Sequence, residues 1–511
     1  MTGGLHHITG ITADAQANAD FYAELLGLVP LLKTVNHSDP ETLHLFYGDA
    51  AASPGSLLTF FVWPAAGRGR RGAGAAAGIG LRIPRTALPF WLDRFLTKGI
   101  TYRGPSAEDG ATVLQIEDPD GLPVTLVGLD ADGPPRAGAG NGTVPPEAAV
   151  SGLHHVDLWS EQPATTGEVL SSLLGYRESR PMEGGVVHTG ADGTEIRLHD
   201  STGFWSSAEG AGLLQHTAFR VPDNAALSRL TGQAEQQGLE TSGIREHGFF
   251  ASTYFREPGG ALIELATDGP GLGRHDPDRL TLPAELEHRR AELEVSLPPV
   301  VTGAGPRPLQ RELSWVHRWL PGSSPVTLLL LHGSGGSEAS LLHLGRDAHP
   351  QASLLGARGG VLEDGSVRFY RNVPGYLGKV SLEESAKELA AFTEEAARAY
   401  AFPLSETVPV GYSNGANITL GLLAVRPDLV TRAVLLRPAL PWKEPPAVDL
   451  TDRHVLVLLG EDDEFLEQGR KAAAWLEKNG AQVDVRTLPA GHDLTPADHR
   501  EAAAWFSGTA G

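Results

Sequence analysis

The chain has 511 residues, too many for a single hydrophobic core, and its 41% apolar content is ordinary for a globular protein of two to four domains. A formal charge of −21 argues against nucleic acid or an acidic membrane surface as a partner. The absence of cysteine excludes disulfides, thiolate nucleophiles and Cys-ligated metals. The opening "MTGGLHHITG" has no basic stretch followed by an apolar run, and "VTLLLLHG" is too short to span a bilayer, so a cytoplasmic protein is expected.

The first predicted elements are written twice. "GLHHITGITADAQANADFYAELLG" begins at Gly4, and "GLHHVDLWSEQPATTGEVLSSLLG" begins at Gly152. Aligned, Phe21, Tyr22, Leu25 and Leu26 fall on Val169, Leu170, Leu173 and Leu174, the apolar face of an amphipathic helix after a strand. Each copy is followed by a second kind of unit with the order strand, helix, strands and hairpin. The first is "GIGLRIP…TVLQIEDPDGLPVTLVG", the second "QHTAFRVP…STYFREPGGALIELAT", with Pro and Gly in their tight turns. Residues 1 to about 270 therefore read as four βαβββ modules. A Gly/Pro-rich connector, "DADGPPRAGAGNGTVPPEAA", separates the two halves. Beyond "SLPPVVTGAGPRP" the pattern changes to buried strands alternating with helices, the signature of a doubly wound parallel sheet.

Paired βαβββ modules curl around a cavity, and inward strand residues can supply two imidazoles and a carboxylate to one face of a metal ion. The candidates are His6 and His7, His154 and His155, His216 in "LLQHTAFR" and Glu264 in "ALIELA". A carboxylate flanked by apolar residues is costly unless paired or metal-bound, which singles out Glu264. Matching "LRIP" to "FRVP" puts Gly78 where the fourth module has His216. Matching "DPDGLPVT" to "EPGGALIE" puts Thr125 where it has Glu264. Only the fourth module can complete a site, so one metal per chain is expected.

These stretches, with "TVNHSDPETLHLFYGD", "PGSLLTFF" and "YFREPGGALIELATD", resemble the extradiol ring-cleaving dioxygenases of the vicinal oxygen chelate superfamily, in the branch that opens hydroquinones. The resemblance covers about the first 290 residues. It implies Fe(II), with Mn(II) as an alternative, held by His7, His216 and Glu264. It also implies His6 and Tyr254 as acid–base or hydrogen-bonding groups. Two departures stand out. Where the family carries a basic residue upstream of the Tyr, this chain has "IREHGFFASTYF", leaving Arg245 or His247 for that place. The second His-His is retained, and His155 is a rival first ligand because its module adjoins the fourth. A glyoxalase-like isomerase and a metal-free aromatic-binding module are the alternative readings of the same fold.

In the last part, "VPVGYSNGAN" carries Gly411-x-Ser413-x-Gly415 between a strand and a helix, a nucleophile elbow. "LLLLHGSGG" supplies an oxyanion loop, with the backbone N–H groups of Ser334 and Asn414 as candidate donors. "LLGEDDEF" places Asp463, with Asp462 as rival, after a later strand, and "LPAGHDLT" supplies His492. "LHGSGG", "RFYR", "GYSNGAN" and "AGHDLT" resemble the phospholipase/carboxylesterase-like branch of the α/β-hydrolase fold.

The expected organisation is a first module pair over 1–135, a second pair completing the dioxygenase over 150–295, and an α/β-hydrolase over 310–511. Expected partners are an aromatic diol with O2, and a small ester or the ring-opened product. A homo-oligomer is compatible with the sequence.

Overall fold

The computed structural model describes residues 2–64, 66–130, 141–273, 275–303, 307, 309–371 and 378–508. The chain divides into two compact units, Met1–His288 with Leu297–Pro308, and Arg289–Ser296 with Leu309–Gly511. Residue 135 and half of the Gly/Pro connector, 131–140, lie outside the described residues.

The first unit contains the four modules. In the first, β1 (Leu5–Thr12) leads through α1 (Ala15–Ala19) to β2 (Val29–Asn36), β3 (Asp39–Gly48) and β4 (Leu57–Val62). The second comprises β5 (Ala76–Pro84), α2 (Leu88–Lys98), β6 (Arg103–Glu108), β7 (Ala111–Glu117) and β8 (Pro123–Leu129). The third comprises β9 (Gly152–Ser160), α3 (Pro163–Ser172), β10 (Arg177–Met182), β11 (Gly185–Thr189) and β12 (Glu195–Asp200). The fourth comprises β13 (Leu214–Val221), α4 (Asn224–Gln236), β14 (Arg245–Glu246), β15 (Phe250–Arg256) and β16 (Leu262–Pro270). Asp14 caps α1 by accepting from the N–H groups of Gln16 and Ala17, and Asp223 caps α4 through Ala226. The helix residues that matched between the two openings are all buried.

The pairing of modules differs from the consecutive pairs expected from sequence order. β1 runs antiparallel to β13, joining the first module to the fourth, and β5 runs antiparallel to β9, joining the second to the third. Each pairing makes an eight-stranded half-barrel. Among the described residues, the ladder between β13 and β5, which links the two halves within the sheet, has one residue pair, Leu214 with Ala76. The ladder hydrogen bonds of the leading strands fix this choice, because β1 finds partners along most of its length only on β13 and β4.

The second unit begins at α5 (Arg290–Ser296) and has a seven-stranded sheet. Its strands are β17 (His317–Leu320), β18 (Thr327–Leu331), β19 (Ser353–Ala357), β22 (Thr407–Tyr412), β23 (Arg432–Leu436), β24 (His454–Gly460) and β25 (Gln482–Leu488). A separate hairpin, β20 (Val361–Glu363) and β21 (Ser366–Arg368), precedes β22. The sheet order is β17-β19-β18-β22-β23-β24-β25, parallel except for β17. Helices α6 (Leu342–Ala348), α7 (Gly378–Tyr400), α8 (Asn414–Val425), α9 (Leu466–Lys478) and α10 (Pro496–Gly508) cover its two faces. Alternate strand residues serve the two cores: Leu329, Leu331, Val455 and Val457 pack on one, Leu328, Leu330, Leu456 and Leu458 on the other.

Candidate metal centre and candidate hydrolase site

The His-His pair of β1 is a β-bulge. Leu5 opposes Phe219 and His7 opposes Ala218, so one extra residue, His6, is inserted on the β1 side. The bulge re-aims the strand so that His7 and Thr9 share the face toward the half-barrel interior. On β13, His216 opposes Thr9, and on β16 Glu264 sits beside Ala218. Three neighbouring strands thus deliver three side chains to one point.

There, Glu264 Oε2 lies 3.0 Å from His7 Nε2 and 3.1 Å from His216 Nε2, and the two Nε2 atoms are 3.2 Å apart. Glu264 is fully buried, and neither carboxylate oxygen makes an aligned hydrogen bond. Burial opposes its charge, yet His7 and His216 hold its carboxyl well below the usual carboxylate range. Three donor atoms gathered within 3.2 Å of one another around a common point fit a cation held by all three groups, and the donor set suits Fe(II). Burial also pushes His216 below the ordinary imidazole range, favouring the neutral form that can act as a ligand.

Neighbouring groups orient these donors. The Gln215 side-chain oxygen accepts from His216 Nδ1, leaving Nε2 for a metal. His6 Nδ1 and His7 Nδ1 are 2.9 Å apart, and burial, followed by the charge of His7, lowers His6 to about 3. A neutral His6 can accept from His7 Nδ1–H, which again leaves His7 Nε2 free. Thr9 Oγ1 lies 2.9 Å from His216 Nε2 and 2.7 Å from Thr59 Oγ1, which in turn meets His44 Nε2 at 2.9 Å.

A cavity of about 680 Å³ opens beside the three donors, lined among others by His37, His44, Phe61, Arg245, His247 and Tyr254. His7 and His216 line it, whereas His6 stands behind His7 and does not. Tyr254 lies directly across the strand pair from Glu264, with its ring 5.5 Å from that of His216. Burial, reinforced by Glu264, raises its phenol well above the usual range. His247 Nε2 is 2.9 Å from Ser252 Oγ, and its ring meets that of His37 edge-on at 5.6 Å. His37 and His44 carried no individual signal in the sequence, because nothing in a strand pattern says which His faces a cavity.

The other half-barrel repeats the bulge without the site. His154 is the inserted residue of β9, its Nδ1 3.0 Å from His155 Nδ1, and His155 lies opposite Gly80. His155 is fully buried with Nε2 unpartnered, and it packs so closely on Gly80 that any Cβ there would overlap its ring. Opposite it, Gly78 and Thr125 supply neither imidazole nor carboxylate. The space at Gly78 is taken by Asp157, which accepts from His199 at 2.9 Å. Arg180 and Arg197 pair with Glu195 and Glu108 close by. His155 is therefore not brought to His216 and Glu264.

In the second unit, Ser413 has φ +51° and ψ −112°, a strained elbow between β22 and α8. The turn is so tight that a Cβ at Gly415 would overlap the Leu331 carbonyl. His492 Nε2 is 3.0 Å from Ser413 Oγ, and His492 Nδ1 is 3.1 Å from both oxygens of Asp463. Asp463 is buried and also accepts from the Phe465 N–H, whereas Asp462 is exposed. Asn414 opens α8, so its N–H has no intrahelical acceptor. Its side chain accepts from the Phe369 N–H at 2.8 Å. Ser334 lies in the loop after β18. That loop is braced by His332, which donates from Nδ1 to the Gly333 carbonyl at 2.6 Å and accepts at Nε2 from the Gly359 N–H at 3.0 Å.

Sequence reasoning missed Arg437. Its guanidinium is fully buried and forms two bonds to Asp498, at 2.7 and 3.1 Å. It also donates to the carbonyl of Gly491 at 2.9 Å and toward that of Asp493 at 3.5 Å, the two neighbours of His492. An Arg directly after a strand reads as a solvated strand end, and only the folded chain carries it inward.

Comparisons with known proteins follow the same division. Residues 4–126 match the family described as the glyoxalase/bleomycin resistance protein/dioxygenase superfamily. A Bacillus subtilis protein described as a ring-cleaving dioxygenase, MhqA, is 38% identical over 317 residues, covering 58% of this chain and 98% of its own. The chlorohydroquinone/hydroquinone 1,2-dioxygenase of Sphingobium indicum is 29% identical over 298 residues, covering 54% of this chain and 89% of its own. A Bacillus subtilis protein described as a hydrolase, MhqD, is 36% identical over 193 residues, covering 37% of this chain and 96% of its own.

Proposed function

Since this chain belongs over its first part to the glyoxalase/dioxygenase superfamily and over its last part to a family of hydrolases, an oxidoreductase fused to a hydrolase, we propose that it opens hydroquinone-type rings and hydrolyses an ester or the ring-opened product. The observation that carries the first half is the convergence of His7, His216 and fully buried Glu264 on one point beside a cavity.

In this reading His7, His216 and Glu264 hold Fe(II), with Mn(II) as the alternative. When bound, the ion supplies the one-electron chemistry that lets dioxygen react with the diol, leaving both oxygen atoms in an extradiol-type product. The residues of the chain bind, orient and move protons. Phe61 and Phe250 offer apolar surface to the ring. Tyr254, beside Glu264, keeps its proton and so can donate a hydrogen bond to a substrate oxygen. Burial keeps His247 neutral, able to take a hydroxyl proton from the diol, with Ser252 fixing its ring. His6 acts through His7, by fixing its tautomer, and not on the substrate. Three donors rather than four favour the oxygenase over a glyoxalase-like isomerase among the described residues.

In the hydrolase half, His492 Nε2 accepts the Ser413 proton as Oγ attacks the acyl carbon, and Asp463 holds the Nδ1–H. The backbone N–H groups of Ser334 and Asn414 are assigned to the developing oxyanion. The intact triad geometry supports this against a catalytically idle fold. Covalent linkage is the support for consecutive steps, in a cytoplasmic setting of quinol detoxification.

The test is oxygen uptake by protein loaded anaerobically with Fe(II), with methylhydroquinone and catechol in parallel. Uptake with the para-diol, lost in His7→Ala and retained in His155→Ala, is expected. No uptake with any diol would remove the dioxygenase half of the proposal. Accumulation of the ring-opened product in Ser413→Ala, with turnover in wild type, is expected for consecutive action.

A further inference from the structure

Outside both catalytic constellations, three side chains of the hydrolase unit meet at its surface. His343 and Asp347 lie four residues apart on α6, which puts them on one face of the helix. His499 comes from the first turn of α10. Asp347 Oδ2 is 2.8 Å from His499 Nδ1 and 3.4 Å from His343 Nε2, and the two imidazole centroids are 5.1 Å apart. Ligands placed tetrahedrally at about 2.0–2.1 Å from a zinc ion stand about 3.3 Å from one another, so the observed spread is already close to that of a coordination sphere. Without an ion, one carboxylate oxygen must serve both imidazoles.

We propose that His343, Asp347 and His499 form a divalent transition-metal site, of the kind zinc occupies, that clips α6 to α10. Two imidazoles and a carboxylate are borderline donors suited to zinc and its neighbours and poorly suited to calcium or magnesium. The three side chains are between one-fifth and a half exposed, so an ion can enter from solvent and water completes the sphere. The site is a structural clip, because it touches neither Ser413 nor His492.

Its position on α10 gives the clip a consequence. Asp498, the residue before His499, is fully buried in the pair with Arg437 that grips the carbonyls on either side of His492. A metal on the outer face and Arg437 on the inner face therefore hold the same helical turn. Filling the site fixes the end of the loop that carries the triad His.

The experiment uses the full chain, stripped with a chelator and titrated with Co(II) followed by its d–d absorption, with Zn(II) by equilibrium dialysis as a second readout. Two equivalents per chain are expected at micromolar metal. His499→Ala and His343→Ala should each lose one, as should His216→Ala, and only the first two should lose the zinc-dependent rise in the thermal midpoint of the hydrolase unit. Equal stoichiometry in wild type and His499→Ala overturns the clip, as does a second equivalent that binds only at millimolar zinc. A single equivalent lost in His216→Ala alone overturns the clip and leaves the ring-cleaving site standing.

Discussion

His7 and His155 are the second members of the same His-His bulge in two half-barrels, and their surroundings separate them. His7 Nε2 lies 3.0 Å from Glu264 Oε2, whereas His155 Nε2 is buried without a partner and packs on Gly80. If His7, His216 and Glu264 hold iron as proposed, removing His7 should abolish its tight binding, while His155→Ala should leave iron content unchanged. Metal analysis after gel filtration distinguishes them. Iron retained in His7→Ala and lost in His155→Ala would contradict the assignment.

His6 acts at one remove. Its Nδ1 meets His7 Nδ1 at 2.9 Å, and groups that orient a ligand in this way are typically worth 10–100-fold in metal affinity. His6→Ala should weaken Fe(II) affinity by about that factor, and excess Fe(II) should restore oxygen uptake. A variant that is inactive even when fully loaded would show that His6 handles a proton in the reaction itself.

The triad makes a sharper contrast. Ser413→Ala should lower esterase kcat by on the order of 10⁶, and Asp463→Asn by roughly 10⁴, since the ring of His492 loses its orienting carboxylate. Asp462→Asn, at an exposed position, should stay within about twofold. A 4-nitrophenyl ester assay reads all three. Equal loss in the two Asp variants would reassign the acid.

Arg437 is a positioning residue. Lys cannot make the two parallel bonds to Asp498 together with the contacts to the His492 loop, so Arg437→Lys should lower esterase kcat by about 10–100-fold with little change in KM. Arg437→Ala strands a buried carboxylate and should cost about 3–5 kcal/mol of stability. Steady-state kinetics and chemical denaturation separate the two effects. An unchanged kcat in Arg437→Lys would reduce the residue to a fold support.

Asp118, a member of neither proposed site, supplies a pH dependence of its own. Burial raises its carboxyl from 3.8 to about 6, although the N–H of Leu122 and the hydroxyl of Tyr22 donate to it. Between about pH 4 and 6 the folded chain keeps a proton that the unfolded chain has released. Stability of the first unit should therefore fall as pH rises through that window, by on the order of 2–3 kcal/mol. Asp118→Asn should flatten the slope. Denaturation midpoints that rise equally in both proteins over pH 4–6 would refute this origin.

Sequence by itself determined the repeat, the change to a doubly wound sheet, the elbow around Ser413 and the isolation of Glu264 among apolar neighbours. These follow from short-range rules: strand and helix periods, turn chemistry, and the cost of burying a carboxylate. It left His7 and His155 as rivals, because identical local sequence folds into identical bulges. The tertiary structure separated them by pairing β1 with β13 and β9 with β5, so that the first module faces the fourth across the chain. That choice is made by strand ladders between distant residues, Leu5 with Phe219 in one and Arg82 with Gly152 in the other, information no short window of sequence contains. The same holds for Arg437, whose local sequence reads as a strand end and whose burial depends on Asp498, a residue of the last helix.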